Sequence, residues 1–338
     1  ANAETVHDIE CALGFNADGI GLCRTEHMFF EEDRIVPVRK MIIAKSVEAR
    51  KAALKEILPI QRQDFINIFS LMKDKPVNIR LLDMPLHEFL PHDENEIKQV
   101  AKSLKVESDL VKERCKQLHE VNPMLGHRGS RLGITYPEIY EMQVRSIIEA
   151  MVHVQEKKGI EANVEIMVPL IATAQEMKIL RNLITKVATS IEKDSGHTLK
   201  YQIGTMIELP RAALCSDKIA DYAEYMSYGT NDLSQTTFGL SRDDSAGFIQ
   251  EYIEKGILPV DPFCSLDQDG VGELIKISAE RARSKIKNIK LGVCGEHGGD
   301  PSSIQFFHDL GFNYVSCSPY RIHIARLAAA QAVLMNKG

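Results

Sequence analysis

The feature that most constrains the fold of this chain is the alternation of short apolar runs with longer amphipathic stretches. This alternation is typical of a parallel sheet that is covered by helices. Eight short runs are candidate strands, at 18–25, 77–83, 124–129, 164–169, 202–208, 225–230, 289–296 and 313–318. Eight strand and helix repeats predict the α/β class and, within it, a closed (β/α)8 barrel of the TIM type.

An open, doubly wound sheet is the structural alternative. Such a sheet would usually have a glycine-rich dinucleotide turn after its first strand, and the sequence has none. The charged, helical residues 84–123 form an oversized connection, which we expect to be a helical insertion beside the mouth of the barrel. No linker rich in Gly, Pro or Ser divides the chain, so we expect a single domain over 1–338 with residues 1–16 as its N-terminal lead-in.

The composition excludes several classes of protein. Of the 338 residues, 44% are apolar, which is enough for a large core, and a net charge of −6 provides no general attraction for nucleic acid or an anionic membrane. The seven cysteines form no C-x-x-C pair, and no apolar run approaches the roughly 20 residues of a membrane helix. We therefore expect a cytoplasmic protein, and the absence of an initial methionine suggests a chain cut from a longer one.

Polar side chains follow the predicted strands at their carboxyl ends, where barrel enzymes carry their active sites. The residues in this position are Arg24, Arg80 with Asp83, His127 with Arg128, Glu208, Thr230 with Asn231 and Asp232, and Cys294 with Glu296. Each of them alone could be a solvated loop residue or half of an ion pair. Their joint occurrence favours an active site.

The residue types at these strand ends indicate a small anionic substrate and a metal ion. Three arginines suit phosphate and carboxylate groups, because a guanidinium group makes permanently charged, bidentate contacts with both. Glu208 and Asp232 have no histidine ligand pattern around them and indicate oxygen donors for Mg²⁺, with Mn²⁺ as an alternative. The other interpretation is that these two carboxylates only neutralise the arginines.

Cys294 lies in the glycine-rich segment 292–299. A free thiol titrates near pH 8.5, so a mobile loop could present Cys294 as a proton donor or acceptor close to neutral pH. The alternative is a small buried apolar residue, which is the commonest role of cysteine. His27, His127 and His297 are expected near the same mouth, but nothing in the sequence activates one of them for covalent phosphohistidine chemistry.

Five longer motifs carry a resemblance to a known family. They are Gly19–Phe30, Leu81–Pro91, Asn122–Ile134, Gly229–Leu233 and Cys294–Pro301. Together they resemble the carboxy-terminal barrel of the pyruvate, phosphate dikinases, which are phosphoenolpyruvate (PEP)-utilising enzymes. The resemblance runs from end to end of the chain and implies a barrel that binds PEP and pyruvate.

The resemblance also implies a role for each candidate residue. Arg24 and Arg80 would hold the transferred phosphoryl group, and Arg128 would be an auxiliary clamp. Glu208 and Asp232 would bind Mg²⁺ in contact with substrate. The substrate would be seated by three consecutive residues, Gly229, Thr230 and Asn231. Cys294 would move the methyl proton of pyruvate, which forms the enolate whose oxygen attacks phosphorus.

The resemblance implies that a complete family member combines three functional parts in one chain: a nucleotide-binding part, a phosphohistidine domain and this barrel. Together they would convert ATP, phosphate and pyruvate reversibly into AMP, diphosphate and PEP. The nucleotide-binding part and the phosphohistidine domain are expected to be absent here, and the barrel is expected to form a homodimer. The Gly-Thr-Asn-Asp-Leu motif also fits PEP synthase and Enzyme I of the bacterial sugar phosphotransferase system. A PEP/pyruvate lyase or mutase and a non-catalytic dimerisation module are further alternatives.

Overall fold

The computed structural model describes residues 1–30, 32–91 and 93–335, with the backbone alone for residues 32 and 33. Its seven parallel strands form one sheet, in which each strand pairs with the next one along the chain. They are β1 (Ile20–Arg24), β2 (Val77–Arg80), β3 (Val164–Val168), β4 (Tyr201–Ile207), β5 (Tyr225–Tyr228), β6 (Lys290–Val293) and β7 (Tyr314–Val315). Helices follow the strands, and the predicted α/β-barrel class is confirmed.

The gap between β7 and β1 is filled by residues 1–3. The Asn2 N–H donates to the carbonyl oxygen of Cys317 at 2.7 Å, and the Ala3 N–H donates to that of Leu22 at 3.1 Å. Asn2 therefore forms a parallel bridge with β1 on one side and contacts the chain after β7 on the other. These residues, expected to be part of a lead-in, complete the ring of backbone hydrogen bonds.

The predicted strand at 124–129 is wrong. Pro123–Leu125 form a 3₁₀ turn, and a helix begins at Gly129, whose φ of 56° is left-handed. The Glu120 carboxylate also accepts the His127 N–H at 3.0 Å and closes this segment into a tight loop. A left-handed glycine cannot continue an extended strand, so the run between the insertion and the barrel is a loop at the mouth.

The helices cover the outside of the barrel and the side of its mouth. They are α1 (Val6–Gly14), α2 (Glu32–Ile43), α3 (Val47–Met72), α4 (Glu94–Leu104), α5 (Ser108–Leu118), α6 (Gly129–Thr135), α7 (Pro137–Lys158), α8 (Ala174–Ser195), α9 (Pro210–Leu214), α10 (Ser216–Ile219), α11 (Thr230–Phe238), α12 (Ala246–Glu254), α13 (Glu273–Lys285), α14 (Pro301–Asp309) and α15 (Ile322–Met335). Within the described residues, none of them has the length and apolar character needed to cross a membrane.

The stretch 84–123 contains two of these helices, α4 and α5, as expected from its composition. Asp93 caps the first of them, because its carboxylate accepts the N–H groups of Asn95 and Glu96, both at 2.8 Å. The second helix packs against the first and against α2. The insertion is therefore attached to the side of the barrel that carries the first strand ends.

Two tyrosine rings fill the middle of the barrel. A Cβ atom at Gly204 would overlap the ring of Tyr225, and a Cβ atom at Gly292 would overlap the ring of Tyr314, so both positions need glycine. Asn78 joins the rings: its side-chain oxygen accepts from the Tyr225 hydroxyl at 3.1 Å, and its amide donates to the Tyr314 hydroxyl at 3.3 Å. This packed layer forms the floor beneath the polar strand ends.

Candidate active site

A cavity of about 240 Å³ opens at the carboxyl ends of the strands. Seven of the nine residues that the sequence proposed as site residues line it: Arg24, Arg80, Arg128, Gly229, Asn231, Asp232 and Cys294. The other two, Glu208 and Thr230, are fully buried next to it and do not line it. The fold thus brings all nine residues to one place, with two of them behind the wall of the cavity.

Two arginines at the cavity are already paired with carboxylates that the sequence did not place at the site. Arg24 Nε donates to Glu4 Oε1 at 2.5 Å, and the Arg80 guanidinium contacts Glu26. Although burial alone would lower the pKa of Arg80, the carboxylates of Glu26 and Asp83 raise it well above its ordinary value. Arg80 therefore stays charged, and both arginines are held in fixed orientations.

Asp83 links two of the arginines in a buried network. Its Oδ2 atom lies 3.2 Å from Arg80 Nη1 and 2.7 Å from Arg128 Nη2. Asp232 extends this network, because its Oδ2 atom lies 3.6 Å from Arg128 Nη2. Because Asp83 occupies the Arg128 fork with two hydrogen bonds, Arg128 keeps only part of its donors for a ligand.

Glu208 is a fully buried carboxylate that is only half satisfied. Its Oε1 atom accepts the Leu170 N–H at 2.6 Å, whereas Oε2 has no hydrogen-bond partner among the described residues. Burial and then the nearby Asp83 and Asp232 carboxylates raise its pKa well above the ordinary value. A Cβ atom at Gly229 would lie 3.0 Å from Oε2, so glycine keeps the space beside this oxygen open.

Three of the cavity residues lie at the start of α11. Gly229 precedes the helix, and Asn231 and Asp232 are in its first turn. The Asn231 side-chain oxygen accepts the Glu296 N–H at 3.0 Å, which leaves its amide protons available to a ligand. Asp232 Oδ1 accepts from the Gln235 amide at 3.1 Å, and its other oxygen faces Arg128.

Cys294 lies at the end of β6 with its thiol buried. Its N–H and Sγ both contact the carbonyl oxygen of Tyr228, at 3.1 Å and 3.7 Å, and its own carbonyl accepts from the Asn2 amide at 3.3 Å. Burial raises the pKa of Cys294 to about 11, although the nearby Arg80 charge acts in the other direction. We expected titration close to neutral pH; the buried thiol instead carries its proton there.

Sequence reasoning missed the apolar wall around this thiol. Leu22 and Met206 line the cavity and pack with Cys294 in a small cluster that is separate from the main core. The alternation of side chains along a strand could have identified both residues, because residues two apart point to the same face. Leu22 lies two residues before Arg24, and Met206 lies two residues before Glu208. Glu4, Glu26 and Asn2 were missed as well, and no local pattern pointed to their contacts.

The three histidines expected near the mouth differ in their surroundings. His27 is exposed, and the His127 ring contacts the Thr135 hydroxyl at 2.5 Å outside the cavity. His297 is fully buried, with Nδ1 2.7 Å from Thr230 Oγ1 and Nε2 2.9 Å from the carbonyl oxygen of Pro262. The Thr230 hydroxyl therefore faces His297 and not the cavity, which differs from the expected substrate contact.

The residues present fit a magnesium ion that shares its coordination with water and substrate. Within the described ranges, no three His, Cys, Asp or Glu side chains converge as a closed metal site. The buried, unpartnered Glu208 Oε2 and the half-buried Asp232 carboxylate are oxygen donors of the kind Mg²⁺ takes. In addition, carboxylates outnumber arginines in and beside the cavity: the arginines are Arg24, Arg80, Arg128 and Arg242, and the carboxylates are Glu4, Glu26, Asp83, Glu208, Asp232, Asp243 and Glu296.

The fold and the site together define an α/β-barrel domain whose cavity at the carboxyl ends of the strands is lined by arginines and carboxylates. The chain belongs to the family described as PEP-utilising enzyme, PEP-binding domain, whose match covers residues 1–334.

Several relatives carry the name pyruvate, phosphate dikinase. The one from Rickettsia prowazekii is 54% identical over 332 residues, which are 98% of this chain and 38% of the relative. The one from Clostridium symbiosum is 51% identical over 336 residues, 99% of this chain and 38% of the relative. The one from Giardia intestinalis is 55% identical over 333 residues, 98% of this chain and 37% of the relative. The chain thus spans a little over a third of the length of these relatives.

Proposed function

We propose that this chain is the PEP and pyruvate half-site of a pyruvate, phosphate dikinase. The observation that carries the proposal is a buried, protonated thiol on the same small cavity as Arg24, Arg80 and the Asp232 carboxylate. A cavity of this size suits a three-carbon acid with its phosphoryl group. The proposed whole reaction, which the resemblance of the motifs implies, converts ATP, phosphate and pyruvate reversibly into AMP, diphosphate and PEP.

The proposed chemistry is phosphoryl transfer between the pyruvate enolate and a phosphohistidine on a separate domain. In the direction from PEP, the bond between the enol oxygen and phosphorus breaks, and a bond between histidine nitrogen and phosphorus forms. Arg24 and Arg80 contact the phosphoryl oxygens during the transfer, and their charge stabilises the transition state electrostatically. Arg128 and Asn231 orient the carboxylate end of the substrate.

In the direction from PEP to pyruvate, Cys294 completes the reaction by donating its thiol proton to C3 of the enolate. This step yields pyruvate and a thiolate, which regains a proton from water. The pKa of about 11 means that the thiol rests in the form this step needs. In the opposite direction the thiolate must first form and take a proton from the pyruvate methyl group. Leu22 and Met206 surround the thiol and exclude water from the carbon that exchanges the proton.

Magnesium is the proposed cofactor, and Glu208 and Asp232 are the residues that would hold it. When bound there, it would neutralise the excess carboxylate charge and stabilise the enolate oxygen. Glu208 would then be ionised, because a cation replaces the hydration that burial removes. The positive charge of the bound ion would explain how a cavity with more carboxylates than arginines could take up a multiply charged anion.

We also propose that the chain acts as a cytoplasmic homodimer. All seven cysteines are free, which fits a reducing compartment. The outer side of α15 supports the second copy, because Leu327, Leu334 and Met335 are 62%, 69% and 70% exposed. Sedimentation should therefore show a dimer, and Leu327→Glu should shift it to the monomer; an unchanged distribution would contradict this interface.

Exchange of the pyruvate methyl protons tests the half-site. In heavy water with Mg²⁺, NMR should show the chain accelerating the loss of the methyl signal, and Cys294→Ala should return the rate to background. Cys215→Ala is the matched control, because this thiol lies between α9 and α10 and should leave the rate unchanged. Equal exchange by the wild type and Cys294→Ala would refute the role of the thiol.

A further inference from the structure

We propose that His297 is a positioning residue, which fixes the Cys294 loop against the first turn of α11. The inference rests on the proposed function, because it concerns how two halves of that site are held together. His297 belongs to the 3₁₀ turn Glu296–Gly299 that follows Cys294, and its side chain is fully buried. It contacts two other segments of the chain, the start of α11 and the loop before α13.

The two contacts define the state of the imidazole ring. The carbonyl oxygen of Pro262, 2.9 Å from Nε2, can only accept, so Nε2 must carry the ring proton. Nδ1 then accepts, and the hydroxyl of Thr230 donates to it at 2.7 Å. Burial lowers the pKa of His297 and favours this neutral form. The ring therefore holds Thr230 in one orientation and is itself held by Pro262.

The neighbouring backbone shows why this orientation matters. A Cβ atom at Gly295 would lie 2.9 Å from the Thr230 nitrogen, so the loop and the helix start are in direct contact. A second connection runs from the Glu296 N–H to the Asn231 side chain at 3.0 Å. Thr230 does not line the cavity, but the residues on both sides of it do. His297 thus acts through Thr230 on the spacing between Cys294 and the residues of α11 that face the substrate.

The same geometry argues against His297 as a phosphoryl carrier. Phosphorylation needs a ring nitrogen that is free and reachable from the cavity. Both nitrogens of His297 are occupied, and the ring has no exposed surface. A positioning role uses both nitrogens as they are found.

Two substitutions at this residue separate its two contacts. Asparagine places a side-chain oxygen near the position of Nδ1, so His297→Asn can still accept from Thr230. Glutamine reaches the position of Nε2, so His297→Gln keeps the contact with Pro262 and loses the one with Thr230. Thr230→Val removes the same hydrogen bond from the other side with little change of volume. His197→Gln, at a partly exposed histidine paired with Glu156, is the control.

The rate of methyl-proton exchange and the affinity for PEP are measured for each variant in the presence of Mg²⁺. We expect His297→Gln and Thr230→Val each to slow exchange by about tenfold or more, because small misplacements of reacting groups are costly. The dissociation constant should change by less than about threefold, and the double variant should be no slower than the singles. His297→Asn should recover most of the rate.

Distinct outcomes separate this inference from the proposed function. If wild-type exchange is normal and His297→Gln matches it per folded molecule, His297 is not a positioning residue. Additive losses in the double variant would also overturn the inference, since the two groups would then act independently. If the wild type neither exchanges protons nor binds PEP, the proposed function fails. The nitrogen-15 spectrum of labelled histidine then still tests the geometry, because the buried ring must show the Nε2–H tautomer and respond to Thr230→Val.

Discussion

The protonation state of Cys294 is the property on which the proposed proton transfer depends most directly. Burial raises its pKa from an ordinary 9.0 to about 11. Two pKa units correspond to about 2.7 kcal/mol in favour of the neutral thiol. At pH 8 the thiolate fraction should be about 0.1%, compared with about 10% for a thiol that titrates near 9. At this pH the ionised fraction of the buried Cys294 should thus be roughly a hundredfold smaller than that of an exposed cysteine.

The thiolate fraction of Cys294 can be measured directly, as the difference in thiolate absorbance between the wild type and Cys294→Ala while the pH is raised from 7 towards 11. The Cys294 contribution should be absent at pH 8 and should rise only above about pH 10. Alkylation of the Cys294 peptide, followed by mass spectrometry, should show the same pH dependence. A contribution that is half complete near pH 8 would refute the argument that burial controls this thiol.

The same shift has a consequence for stability. The pKa of Cys294 is higher in the folded chain than in the unfolded one, so the folded chain binds the thiol proton more tightly. Its contribution to the free energy of unfolding is therefore complete below about pH 8.5 and is lost as the pH rises towards 11. Cys294→Ala should remove this part of the alkaline loss, which urea unfolding at pH 8 and 10.5 can measure.

Three further predictions follow from the contacts of the site. Glu26→Gln should lower the free energy of unfolding by about 3 kcal/mol in urea titrations, because it leaves the buried Arg80 guanidinium with Asp83 as its remaining partner. Gly295→Ala should lower it by about 1–3 kcal/mol and slow proton exchange, since the new methyl group would overlap the Thr230 hydroxyl. The pKa of His297 is lower in the folded chain than in the unfolded one, so the melting temperature should fall as the pH drops below about 6.5, and His297→Gln should show a weaker dependence.

Matched controls exist for these variants. Glu56→Gln breaks an exposed ion pair with Lys40 and should change the free energy of unfolding by less than about 1 kcal/mol. Gly247→Ala adds a methyl group that meets no atom within 4 Å among the described residues beyond its chain neighbours and its own helix backbone, so it should leave stability and exchange close to the wild type. Equal effects of the site variant and its control would contradict the corresponding contact argument.

The candidate site was predictable from the sequence to the extent that it depends on strand ends. Arg24, Arg80 and Cys294 each close a short apolar run, and parallel strands of a barrel end at one mouth. The false strand at 124–129 shows the limit of that reasoning. Its apolar residues resemble a strand end, but the left-handed Gly129 and the Glu120 contact make it a loop. The strands on either side of it, β2 and β3, pair directly, and the ring closes elsewhere, where residues 1–3 bridge β1 and contact the chain after β7 without any strand pattern in their sequence.

By itself, the sequence determined the barrel class and the positions of most of its polar strand ends, from which the proposed ligand was inferred. These properties depend on local periodicity and on residue type, which can be read along the chain. Only the tertiary structure decided that Glu26 pairs with Arg80, that Thr230 faces His297, and that the Cys294 thiol keeps its proton. Such properties depend on burial and on contacts between residues far apart in the chain, and no short stretch of sequence contains them.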